Sequence, residues 1–97
     1  SATADDVRRI EEAIASDGTR IIHLKTLHLG PEELLVAAKI SVDSSETGDR
    51  IAEAINGAEQ RIRAAVPIAR VIYLEPDLYA PRQAGQGPSD SAGPASR

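Results

Sequence analysis

From Val36 to Asp43 the side chains alternate without a break. Val36, Ala38, Ile40 and Val42 share one side, and Ala37, Lys39, Ser41 and Asp43 share the other. Successive strand residues point to opposite faces, so the pattern specifies a strand with one apolar and one mixed face. A sheet built on this strand buries one side and leaves the other to water or to a partner.

The flanking segments supply the cover for one side. Thr3, followed three residues later by Asp6, resembles a capping box with Asp in place of Glu. Val7, Ile10 and Ile14 then recur at helical spacing, and Asp17-Gly18 stops that helix. Residues 20–29 read as a strand, Gly30-Pro31 as a turn, and residues 32–43 as the second strand. After a loop over 44–48, a second helix spans about 47–66 with Ile51, Ile55, Ala58 and Ile62 as its stripe. Gly57 inside it costs up to about 1 kcal/mol and is expected to mark a close packing contact. Pro67 ends the helix, and a third strand over 69–75 is expected to stop at Pro76. The order is α-β-β-α-β, a hairpin followed by a crossover to a parallel neighbour. The expected fold class is α+β: a two-layer sandwich, a three-stranded mixed sheet with two helices on one face.

Composition sets the size and excludes several functions. The residues of large apolar volume are 10 Ile, 7 Leu, 5 Val and 2 Tyr, all within 1–79. That is a small aliphatic core, near the lower limit for a domain standing alone, and it would gain from a second copy. Of the 18 residues from 80 to 97, 13 are Ala, Gly, Pro or Ser, so 80–97 reads as a disordered tail after a domain over 1–79. No cysteine means no disulfide, thiolate zinc site or Cys nucleophile. Acids outnumber Lys and Arg 15 to 11, and base-stacking aromatics are nearly absent, so no nucleic-acid partner is expected. No apolar run approaches the roughly 20 residues that cross a bilayer. Beginning at Ser1 rather than Met, the chain reads as an excised piece of a longer protein.

No catalytic constellation is present in the sequence. His23 and His28 are five residues apart in one strand and point to opposite faces. Gly85-Gln86-Gly87 lacks the strand and helix that a phosphate loop requires. On the second helix Asp49, Glu53 and Glu59 are interspersed with Arg50, Arg61 and Arg63, the pattern of a solvated face. The third strand carries more. Tyr73 and Glu75 project from the face opposite Ile72 and Leu74, and Lys39 lies on the polar face of the second strand. If those strands are neighbours, Lys39, Tyr73 and Glu75 cluster, and His23 can join them. The plain reading is a Lys–Glu surface pair beside a half-buried Tyr. The sharper one is a divalent-metal site, or its remnant, using imidazole and carboxylate.

The text IIHLKTLHLGPEELLVAAKISVD and the ending AAVPIARVIYLEPD resemble the cytoplasmic C-terminal domain of cation diffusion facilitator transporters. These are divalent-metal/proton antiporters of the cation efflux class. The cues are Leu24-Lys25-Thr26 with Gly30 after it, a strand ending Val42-Asp43, then a helix with Ile51-Ala52-Glu53-Ala54-Ile55, where the family reads Ile-Ala-Glu-x-Ile, and a final Glu75-Pro76. The resemblance covers about residues 5–78. It implies a ferredoxin-like, metallochaperone-like fold and a homodimer below an upstream transmembrane domain that holds the transport site. It further implies a place at the cytoplasmic face of the cell membrane, no enzymatic activity, and metal sensing that sets the angle between the two arms. A ligand-sensing ferredoxin-like module of a soluble protein is the alternative.

The resemblance also implies where a regulatory metal would sit. The family's final strand often reads His-x-Asp/Glu-Pro, and here it is Tyr73-Leu74-Glu75-Pro76. The carboxylate position is kept and the imidazole replaced. The second-strand histidine falls at Lys39, and the histidine at the start of the second helix is absent from Asp49-Arg50-Ile51-Ala52. The first-strand histidine aligns with Ile22, one place from His23, and a bulge would bring His23 onto the right face. His23 and Glu75 are therefore the metal contacts this reading expects, with Lys39 and Tyr73 as neighbours. Two expectations stay open. Lys39 and Glu75 form a fixed charge pair in place of the metal, or His23 and Glu75, with Asp77 or Asp49, hold Mn²⁺, Fe²⁺ or Zn²⁺.

Overall fold

The Thr3 hydroxyl begins the first helix. Its Oγ1 accepts a hydrogen bond from the Asp6 N–H at 3.0 Å in a computed structural model that describes residues 2–80. The expected tail over 80–97, with Gly85-Gln86-Gly87, lies outside the described residues apart from Ala80. Helix α1 runs Ala4–Ala15, followed by strands β1 (Arg20–Gly30) and β2 (Glu33–Asp43), helix α2 (Gly48–Ala65) and strand β3 (Ala69–Tyr79). Thr47 caps α2 as Thr3 caps α1, accepting from the Arg50 N–H at 3.2 Å. Gly18 takes φ +90°, a left-handed conformation that suits glycine, and its N–H donates to the Ala15 carbonyl at 2.9 Å.

The sheet order is β1-β2-β3, with β1–β2 antiparallel and β2–β3 parallel. The alternation along β2 places Leu34, Val36, Ala38 and Ile40 in the core. Ile10 and Ile14 of α1, Ile62 of α2, and Ala69 and Ile72 of β3 complete it. Ile51, at the other end of the α2 stripe, is only half-buried and borders an open groove.

Two expectations need correction. β3 does not stop at Pro76 but continues to Tyr79. It lies at a sheet edge, where a residue without an N–H is tolerated on the open side. Arg61 does not belong to a solvated face. Its Nε donates to the Ala13 carbonyl at 2.7 Å, and its Nη2 lies 3.5 Å from both the Ile14 carbonyl and an Asp17 carboxylate oxygen. The side chain thus satisfies carbonyls that the end of α1 leaves without helical partners. A Cβ on Gly57 would stand 3.3 Å from Arg61 Nη1, so the contact that Gly57 makes room for is this guanidinium, one turn along the same helix. Arg63, pairing with Glu59 at 3.7 Å on the surface, does follow the solvated pattern.

This junction has an acid signature. Burial pushes the Asp17 carboxyl up. Hydrogen bonds from Thr19 and the charge of Arg61 outweigh it, so the carboxyl ends below its ordinary range. A lowered folded pKa contributes stability above the unfolded value and loses it as pH falls through the folded value. Asp17→Asn is therefore expected to be less stable than the wild type at pH 7. The gap should close below about pH 4. Urea unfolding between pH 2 and 7 checks this, and a gap that stays constant across the range would contradict it.

Candidate functional site

The sheet face away from the helices is built of rows that cross all three strands. Leu27, Leu35 and Val71 form one row, and Lys25, Ala37 and Tyr73 the next. His23, Lys39 and Glu75 form the third. The first is wholly apolar, and Leu27 is 58% and Tyr73 64% exposed.

A bulge positions His23. The register runs Ile21↔Ile40 and then His23↔Lys39, so Ile22 is an extra residue in β1. In a regular ladder Ile22 would oppose Lys39, and His23 would turn to the helix side. The inserted residue restores His23 to the open face. His28 points the other way, opposite Leu34, with its Nδ1 3.2 Å from the Gly30 carbonyl. Glu75 reaches the row because the parallel register sets Lys39 beside it. Tyr73 shares its face, with Ile72 buried on the other side.

The four residues singled out in the sequence therefore meet. His23, Lys39, Tyr73 and Glu75, with Lys25 and Ala37, line a shallow depression of about 160 Å³. Lys39 is central, with the imidazole on one neighbouring strand and the carboxylate on the other. Strands lie about 4.8 Å apart, so the His23 and Glu75 backbones are roughly 10 Å apart with an ammonium-bearing residue between them. Zinc–nitrogen and zinc–oxygen bonds are only about 2.0–2.2 Å, so both donors would have to lean inward over Lys39 to share an ion. Among the described residues, no group of three or more His, Cys, Asp or Glu side chains is placed to hold a metal ion. One copy thus offers two donors and an opposing charge, which does not fit a divalent ion. The Lys39–Glu75 pair expected from parity is not closed either: among the described residues, no salt bridge joins them.

A second concavity, a groove of about 540 Å³, lies between the start of α2 and the end of the sheet. Asp17, Arg61, Asp43, Arg50, Glu53 and Tyr79 are among its walls. Sequence reading missed it because its residues come from separate elements. The signal available was Gly57 one turn before Arg61, an arginine followed too simply as a surface charge.

Neither a family model nor a curated protein sequence matches the chain. Solved structures do. A histidine-to-alanine variant of the MamM C-terminal domain superposes with a TM-score of 0.71 at 18% identity, covering 80% of this chain and 99% of that one. The fold is that of the MamM C-terminal domain. That MamM domain is the cytoplasmic domain of a cation diffusion facilitator family member. A copper form of an aspartate-to-histidine variant of that domain gives 0.69 at 17% identity, covering 77% of this chain and 95% of its own. A cadmium form of an aspartate-to-glutamate variant gives 0.70 at 16%, covering 80% and 99%. The likeness to the MamM domain spans nearly the whole of that domain and takes in the α-β-β-α-β order with its mixed sheet.

Proposed function

We propose that this chain is the cytosolic regulatory and pairing domain of a divalent-cation/proton antiporter of the cation diffusion facilitator class. The observation that carries the reading is the superposition on MamM over almost the full length of that domain. In this reading the domain is not an enzyme. It hangs at the cytoplasmic face of a membrane from an upstream transmembrane domain that holds the transport site. No helix among the described residues is long and apolar enough to cross a membrane.

Pairing with a second copy uses the open sheet face. Both sheet edges are poor templates for further strands. β1 carries irregularities between Ile21 and His23 and between His28 and Gly30, and β3 carries Pro76. The face remains, with its apolar row uncovered. His23 and Glu75 are the donors that a metal would meet first on it. Copper, nickel and cadmium forms of substituted variants of the MamM domain exist, and their metals motivate the sensing part of the reading. One copy's pair is too few to hold an ion, so a metal would need further donors from a second copy, and imidazole with carboxylate would then suit Zn²⁺, Mn²⁺ or Fe²⁺. The groove beside α2 favours the alternative, a small-molecule sensor on a soluble protein.

The test uses the intact protein in sealed vesicles with a pH indicator inside. A divalent cation added outside should drive proton exchange, and Leu27→Asp should reduce the rate without abolishing it. An intact protein with no membrane spans, or exchange untouched by Leu27→Asp, overturns the reading.

A further inference from the structure

Lys39 stands in the middle of a row, paired with His23 on one side and Glu75 on the other, the place from which a dication bridging imidazole and carboxylate would have to be held. We propose that Lys39 is a tethered cation that replaces a metal ion between two copies of this chain, pairing with Glu75 of the second copy. The inference rests on the face-pairing part of the proposed function and departs from it on metal. Pairing through this face then needs no ion, and Lys39 opposes the binding of one.

Three observations carry it. The first is charge. The depression holds Lys25, Lys39 and Glu75, one net positive charge with His23 neutral, so a dication arriving there is repelled. The second is the unmade bond. Lys39 and Glu75 occupy paired register positions, yet among the described residues neither forms a salt bridge. Both remain available to the opposing surface. The third is symmetry. A two-fold interface brings a patch against itself, so the patch must carry both members of any charge pair it makes. A row with only imidazole and carboxylate would need an added cation to close. This row already contains one.

The area suits a weak, reversible pair. Three strands of 11 residues present a face of about 14 by 36 Å, about 500 Å² before side-chain relief is counted. That is below the roughly 800 Å² per partner of a standard interface and in the range of transient ones. The Leu27, Leu35 and Val71 row supplies the apolar part, and the His23, Lys39 and Glu75 row fixes its register.

The experiment is charge reversal read by sedimentation equilibrium, all in EDTA and at low and high salt. Wild type should dimerise without metal. Lys39→Glu and Glu75→Lys should each weaken the dimer roughly ten-fold or more, and the double variant should recover most of the loss. High salt should weaken the wild type more than Lys39→Met, which keeps an apolar stem but no charge. Adding Zn²⁺, Mn²⁺ or Fe²⁺ should leave the wild-type dimer unchanged. Lys39→Ala should acquire a metal-dependent dimer that Glu75→Ala abolishes. Circular dichroism confirms that each variant is folded. A wild-type dimer indifferent to both reversals, or one that requires metal, overturns the inference while leaving face pairing intact. A wild-type chain that stays monomeric overturns both.

Discussion

Replacing Ile62 with alanine is expected to cost the domain about 2–5 kcal/mol, the largest loss from any single truncation on α2. Ile62 is 0% exposed. It is part of the core that also holds Ile10 and Ile14 of α1 and Val36 of β2. Deleting its outer carbons loses their transfer energy and leaves a cavity that rigid strands on one side cannot fill. The core has no Phe, Met or Trp that could shift into the space. A domain this small has a total stability near the low end of the 5–15 kcal/mol range. Each kilocalorie moves the midpoint about 4–8 °C, so a fall of roughly 10 °C or more is expected in far-UV circular dichroism. Ile51→Ala, on the same stripe but half-buried at the groove, is the control and should lose less. A shift of Ile62→Ala no larger than that of Ile51→Ala would contradict the packing described.

The second large effect is on association. Leu27 is more than half exposed in a single copy and heads the apolar row with Leu35 and Val71. Burying a leucine contributes about 1.5–3 kcal/mol, and a two-fold interface uses each position twice. Leu27→Asp forfeits that burial in both copies and strands two carboxylates in a drying surface. The dimer dissociation constant should rise about a hundred-fold or more. The single copy should keep its fold, since an exposed substitution away from the core usually costs within about 0.5 kcal/mol. Lost association with an unchanged urea-unfolding curve at monomeric concentrations is the expected result. Coincident loss of both would assign Leu27 to folding instead.

The fold was legible because each element carried its own period and punctuation. Thr3 and Thr47 both cap helices, and the alternation along β2 named its buried face correctly. Pro76 misled because a proline reads as a stop until the strand is known to lie at an edge. Arg61 misled because its role depends on where the last carbonyls of α1 fall, 47 and 48 positions away. The site was legible in part. Parity alone put Tyr73 and Glu75 on one face, and the pairing of the strands brought them to Lys39. The position of His23 hung on one inserted residue. Ile22 has no mark in the sequence that separates a bulge from a regular strand, so only the register decides which face the imidazole takes. Whether Lys39 meets Glu75 is likewise a matter of side-chain reach that spacing does not encode.

Sedimentation equilibrium of the wild-type domain in EDTA, over a concentration series from the low micromolar range upward, decides whether the open sheet face pairs without metal. An uncovered sheet face carrying its own cation predicts a reversible transition to twice the chain mass with no metal present. A single-chain mass at every concentration would contradict that account and leave the open face without its partner.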